Sequence, residues 1–123
     1  MLSHGMFRAS LAFFAIFVGS SALSDPARIV GAEATEIGGA WRFDVTLRHG
    51  DTGWDDYADG WRVETADGSV LGTRELLHPH VDEQPFTRSL GGVSIPDGVT
   101  EVFIRARTNV TGWDEPRLSI DLD

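Results

Sequence analysis

Trp41-Arg42-Phe43-Asp44-Val45-Thr46-Leu47-Arg48-His49 is the stretch from which the rest of this chain can be read. Apolar residues hold positions 41, 43, 45 and 47, with polar residues strictly between them. Successive side chains of a strand point to opposite faces, so this period of two predicts a half-buried strand with its apolar face inward. His49 continues the inward phase and is expected at the rim of the core, where the strand runs out.

Working outward, Gly38-Gly39 punctuates the chain before this strand, and Ala27–Ile37 reads as a weakly patterned edge strand. After it, Gly50–Gly60 is rich in Gly and Asp and reads as a loop. Trp61–Thr65 resumes the alternation. Ala66-Asp67-Gly68-Ser69 carries Asp-Gly, a hairpin signal because both central residues tolerate positive φ. Val70–Leu77 is then the partner strand. Phe86–Ile95 follows, weakened or bulged at Gly91-Gly92. Pro96-Asp97-Gly98 turns into a strand with Val102, Ile104 and Ala106 on its core side, and Leu118, Ile120 and Leu122 mark the last one. No helical period survives after residue 24. Six or seven short strands with regularly spaced turns predict one antiparallel β-sandwich of the immunoglobulin or fibronectin type III kind. A small barrel is the alternative.

The N-terminus has a different character. Arg8 precedes the apolar run Leu11–Val18, and small residues follow through Ser24. Ala22-Leu23-Ser24 fits a small-x-small cleavage rule, so residues 1–24 read as an export signal cut before Asp25, leaving 25–123 as the sandwich domain. A retained amphipathic anchor is the alternative. The run is far shorter than the roughly 20 apolar residues of a membrane span, so none is expected once the signal is removed. The expected location is the periplasm or the cell exterior.

Composition removes whole classes of chemistry. The chain has no cysteine, which excludes disulfides, thiolate metal sites and a lipid-modified cysteine at the expected cut. All 10 basic residues are arginine, so there is no Schiff-base lysine. Against them stand 19 Asp and Glu, for a net charge of −9. Such a charge repels nucleic acid and anionic lipid, which both demand cationic surface. Cations, sugars and basic partners remain.

Alternating strands place the connections after 49, 77 and 108 at one end of a sandwich. That end then gathers His49, His78 and His80 with Trp54, Tyr57 and Trp113. Pro79 biases His78 toward extended geometry, and residues i and i+2 of an extended segment point the same way. His78 and His80 could therefore hold a divalent metal, with His49 and Glu83 (or Asp82) assisting. Imidazole with carboxylate suits copper or zinc better than calcium. The plainer reading bonds these histidines to backbone carbonyls in a proline-stiffened loop.

Trp54, Tyr57 and Trp113, with Asp51, Asp55 and Asp114 beside them, form a second candidate, for a glycan or protein partner. The plainer reading has the aromatics cap the core. Thr52-Gly53-Trp54-Asp55-Asp56 and Thr111-Gly112-Trp113-Asp114-Glu115 echo one another, but five residues do not make a repeat. Arg62, Glu64, Arg105 and Arg107 read as solvated cross-strand pairs on an outer sheet face. Asn109-Val110-Thr111 has the form of a glycosylation sequon. No serine lies in a nucleophile elbow and no Gly-rich phosphate loop is present, so a non-catalytic domain is expected.

The runs His49–Trp61 (His-Gly-Asp-Thr-Gly-Trp-Asp-Asp-Tyr-Ala-Asp-Gly-Trp) and Leu77–Leu90 (Leu-His-Pro-His-Val-Asp-Glu-Gln-Pro-Phe-Thr-Arg-Ser-Leu) resemble small uncharacterised secreted proteins of bacteria. The resemblance covers most of the chain after the signal and implies bacterial export. It implies no activity, substrate or catalytic residue.

Overall fold

The computed structural model describes residues 24–123; the expected export signal, apart from Ser24, lies outside the described residues. Eight strands follow in chain order: β1 (Arg28–Ile37), β2 (Ala40–Arg48), β3 (Ala58–Glu64), β4 (Val70–Glu75), β5 (Phe86–Val93), β6 (Glu101–Thr108), β7 (Gly112–Trp113) and β8 (Leu118–Asp121). They form two sheets with only antiparallel pairing. One sheet has the order β1-β2-β5, and the other runs β4-β3-β6 with β7 and β8 both beside β6. The chain is an all-β sandwich. β7 and β8 are two pieces of one terminal strand, so the extra piece leaves the alternation of ends intact.

The inward phase of each central strand fills the space between the sheets. Phe43, Val45 and Leu47 of β2 face Trp61 and Val63 of β3 and Val102, Ile104 and Ala106 of β6, all sealed from solvent. Each apolar side chain of this size contributes about 1.5–3 kcal/mol on burial, so the three strands carry the fold. Trp41 is only half-buried, packed against this core from its edge.

Of the two glycine turns, the one at Gly38-Gly39 falls where the sequence places it and the one at Asp67-Gly68 does not follow the two-residue pattern. Gly38 and Gly39 both have positive φ (60° and 86°), the type I′ geometry that joins Ile37 directly to Ala40. At Asp67-Gly68 the loop is longer: Gly68 N–H donates to the Thr65 carbonyl at 3.0 Å, only Gly68 of the pair is a positive-φ glycine, and the register shifts between Val63 and Glu64. The bulge expected near Gly91-Gly92 is present, as a register shift against Trp41–Phe43 with Gly92 at φ 68°.

The largest departure is the start of β3. The Gly/Asp-rich segment expected to be loop as far as residue 60 enters the sheet at Ala58, which pairs with Thr108, while Gly60 pairs with Arg107 on one side and Glu75 on the other. Partners on both sides decide this, overriding the weak strand preference of Asp and Gly. The same sheet also corrects the solvated reading of its outer face. Glu64 points outward by alternation yet is fully buried beneath arginines. Its Oε2 accepts from Arg62 Nε at 2.6 Å and Arg105 Nε at 2.8 Å, and its Oε1 from Arg117 Nη1 at 3.1 Å.

Candidate functional site

The three connections do meet at one end of the molecule. Asp51, in the β2–β3 connection, is the residue that joins them. Its Oδ1 accepts from the Ala58 amide at 3.0 Å and sits 2.6 Å from His49 Nδ1, while its Oδ2 accepts from the His80 amide at 2.8 Å. His49 Nε2 lies 3.0 Å from the carbonyl of Asp25, which ties down the start of the described chain. Gln84 completes the clamp, accepting from the His49 amide and donating to the His80 carbonyl, each at 2.9 Å. From the β6–β7 connection, Asn109 accepts from the Tyr57 amide and donates to the Trp54 carbonyl, both at 2.9 Å. A polar interior of this kind fixes loop geometry before any ligand arrives.

Within that frame the histidines separate into distinct roles. His49 and Asp51 are buried, so neither faces a ligand. His80 is also buried, stacked on Phe86 with ring centres 3.9 Å apart. Arg88 Nη2 stands 2.8 Å from His80 Nε2. Because a guanidinium only donates, Nε2 must accept, which leaves the proton on Nδ1, and Nδ1 is buried with no partner. Burial, the Arg88 charge and the neighbouring His78 together hold His80 below its ordinary 6.5, against smaller opposing pulls from Glu83 and Asp51. His78 is exposed, with its ring 4.7 Å from that of His80. Glu83 reaches Arg88 at 3.5 Å. Among the described residues no three His, Asp or Glu side chains are gathered where they could hold a metal ion. The expected set His78, His80, His49 and Glu83 is therefore spread over separate contacts, and the lone pair on His80 Nε2 is already engaged.

The aromatics behave differently. Trp54 is 64% exposed and meets Tyr57 edge-on, ring centres 5.5 Å apart. Tyr57 and Trp113 line one trough of about 460 Å³ on the outer face of the β4-β3-β6 sheet, together with Asp59, Thr73, Glu75 and Arg107. That volume lies within the range of ligand clefts. The two echoing pentapeptides thus fold differently: Gly53 and Asp56 close a small bridge, whereas Gly112-Trp113 becomes β7 and pairs with β6. Pairing Trp113 with Arg107 lays the indole across the sheet beside Gly60, and a Cβ at Gly60 would stand 4.0 Å from the ring edge, in ordinary contact. The Arg62 guanidinium sits 4.0 Å from the centre of the indole and fixes its orientation.

Asp55 is exposed in the loop beside Trp54, and Asp114 lines a separate cleft with Pro26, Ile29 and Pro116. Of the six expected ligand-facing residues, Tyr57 and Trp113 share the trough and Trp54 borders it. Thr73, Glu75 and Arg107 are not among the residues expected to face a ligand. Arg107 could have been, since the alternation of β6 points it outward on the same face as Arg105. Asp59 belongs to the acidic residues of the Gly/Asp-rich segment, which on their own read as solvated turns.

No family model matches the chain, and no solved structure matches it. Among the described residues no helix is long and apolar enough to cross a membrane. A curated protein of Halomicrobium mukohataei, named "Putative lipoprotein", is 42% identical over 98 residues, which cover 79% of this chain and 48% of that protein. The chain thus spans about half the length of the relative to which it is similar.

Proposed function

We propose that this chain is an exported, non-catalytic binding domain whose trough between Tyr57 and Trp113 takes a glycan. Export is supported by the apolar N-terminal run with its small-residue cut site and by the name of the Halomicrobium relative. The observation that carries the ligand reading is the trough itself: two aromatic side chains from separate connections, held by Asn109, Arg62 and the sheet, flank the ion pair of Asp59 with Arg107. Sugar rings present apolar C–H faces edged by hydroxyls, which suits an aromatic wall beside fixed polar groups.

The test is a glycan array followed by titration of tryptophan fluorescence. Trp113→Ala and Tyr57→Ala should each weaken binding by about tenfold or more, equivalent to about 1.4 kcal/mol. Silence on the array and no fluorescence response remove this reading.

A protein partner is the second reading, favoured by a distinct observation. Trp54, 64% exposed, stands beside the trough and Leu77, 75% exposed, lines its edge, and exposed large apolar residues next to Tyr and Arg are typical of interface anchors. Trp54→Asp, outside the lining of the trough, would abolish such an interface and leave glycan binding within about twofold, a difference of about 0.4 kcal/mol.

A further inference from the structure

Resting on the glycan reading, we infer that Asp59 and Arg107 are the polar readers of the trough, and that the glycan they accept carries no acidic groups. Asp59 sits on β3 with its side chain only 12% exposed. One oxygen, Oδ2, accepts from Arg107 Nη1 at 2.5 Å; the other, Oδ1, is buried without a hydrogen-bond partner. A buried carboxylate oxygen left unpaired is unfavourable, and nothing in the packing needs a charge at this position. The Asp59 backbone is already anchored, its carbonyl accepting from the Leu76 amide at 3.1 Å. The acid is therefore best accounted for by what it does in the trough, where it holds Arg107 in place and offers Oδ2 as an acceptor.

Arg107 complements it. Only Nη1 has a side-chain partner, and the side chain is 40% exposed, which leaves further N–H groups facing the trough. A fixed acceptor and a fixed donor side by side match two neighbouring sugar hydroxyls, each able to donate and accept.

The charge of the ligand follows from the same residues. Asp59 neutralises Arg107, and Glu75 adds an uncompensated carboxylate to the lining. The chain as a whole carries −9. A uronate or sulfated sugar would meet net repulsion, because the one guanidinium of the lining is already neutralised by Asp59 and Glu75 remains. Neutral hexose or pentose chains meet no such repulsion.

The experiment titrates the full chain with neutral oligosaccharides (cello-, xylo- and manno-oligosaccharides) and with oligogalacturonate, by calorimetry. Asp59→Asn, Arg107→Gln and Trp113→Ala are compared, with thermal melting of each. Neutral chains should bind at least tenfold more tightly than oligogalacturonate. Asp59→Asn should lower affinity at least tenfold while its melting temperature stays the same or rises. A residue with a purely structural role would show the opposite, a lower melting temperature with unchanged affinity, and that result overturns the inference. So does equal or tighter binding of oligogalacturonate. In both of those cases the glycan reading stands; if no oligosaccharide binds at all, that reading falls and this inference with it.

Discussion

Nδ1 of His49 lies 2.6 Å from Oδ1 of Asp51, with both side chains shut away from solvent. Through this contact and the amides of Ala58 and His80, one carboxylate holds the β2–β3 and β4–β5 connections together. Asp51→Ala would orphan two buried N–H groups and one ring nitrogen. The expected loss is about 3–5 kcal/mol, the magnitude of breaking a buried charge-assisted network. Urea unfolding followed by tryptophan fluorescence measures it, with Asp55→Ala as an exposed control changing by less than about 0.5 kcal/mol. A loss for Asp51→Ala no larger than the control would show that the loops do not depend on this residue.

Glu64 gives stability a dependence on acid. Burial alone would raise its carboxyl, but hydrogen bonds from Arg105, Arg62 and Arg117, together with the Arg105 charge, outweigh burial and hold it below its ordinary 4.5. A carboxyl lowered on folding contributes stability that is fully present above the unfolded value and is lost as pH falls through the folded value. The stabilisation is thus complete above about pH 4.5 and decays below it. Glu64→Gln leaves three guanidinium groups around a neutral amide and should cost about 3 kcal/mol at pH 7. Its stability should then fall less steeply than that of the parent between pH 4.5 and 2. Parallel curves would assign the acid sensitivity to other carboxylates.

The alternation of Trp41–His49 and of Val102–Ala106 was enough to place the core and the end at which the connections meet, though the strands number eight rather than six or seven because Gly112-Trp113 also pairs with β6. Period-two patterns report burial on one face, and these two strands are central to their sheets. The clamp around Asp51 was not legible, because an aspartate in a Gly/Asp-rich segment looks the same whether it is solvated or buried. Nor was the trough, which needed the register of Gly60 against both Arg107 and Glu75. The histidine pair shows the opposite failure. His-Pro-His does bring two rings to 4.7 Å, but no short motif reveals that Arg88, eight residues on, occupies the nitrogen of one of them.

That occupancy has a consequence for metals. Zinc or copper can bind His80 Nε2 only by displacing Arg88, and Nδ1 would first have to lose its proton and reach solvent. Affinity in the parent should be no tighter than about 1 mM, corresponding to −4.1 kcal/mol. Arg88→Ala should tighten it. Micromolar binding in the parent, lost in His80→Ala, would contradict this account.

Gly72 marks where the two sheets close along one side. A Cβ built there would stand 3.0 Å from Leu90 Cδ2 and 3.4 Å from Val93 Cγ2. Gly72→Ala should therefore destabilise by about 1–2 kcal/mol through overpacking, despite the better strand preference of alanine. Leu90→Ala in the same chain removes the nearest obstacle, so the double variant should lose less than the sum of the single changes, a coupling readable in a double-mutant cycle. Simple additivity would place the strain elsewhere.

His80 makes stability fall with acid in the same direction as Glu64, but nearer physiological pH. Buried on Phe86, beside the Arg88 guanidinium and the His78 ring, its imidazole resists protonation more than in the unfolded chain, whose value is 6.5. Glu83 and Asp51 pull the other way without reversing the direction. As pH falls below about 6.5 the unfolded chain takes up a proton that the folded chain refuses, so the unfolded state gains stability. Above 6.5 the term vanishes; below it, stability drops by at most about 1.4 kcal/mol per pH unit until the folded value is reached. His80→Phe keeps the stacking surface and removes the titration, though it also frees Arg88 from its acceptor. Its stability at pH 7.5 can therefore be lower than the parent's, and the informative quantity is the slope, not the level. Unfolding free energies at pH 7.5, 6.5, 5.5 and 5.0 should fall less between the ends of that range in His80→Phe than in the parent, whereas the exposed His78→Phe should leave most of the slope in place. If His80→Phe keeps the full slope, the proton is being taken up elsewhere, and the buried ring is not the group that makes this end of the sandwich acid-sensitive.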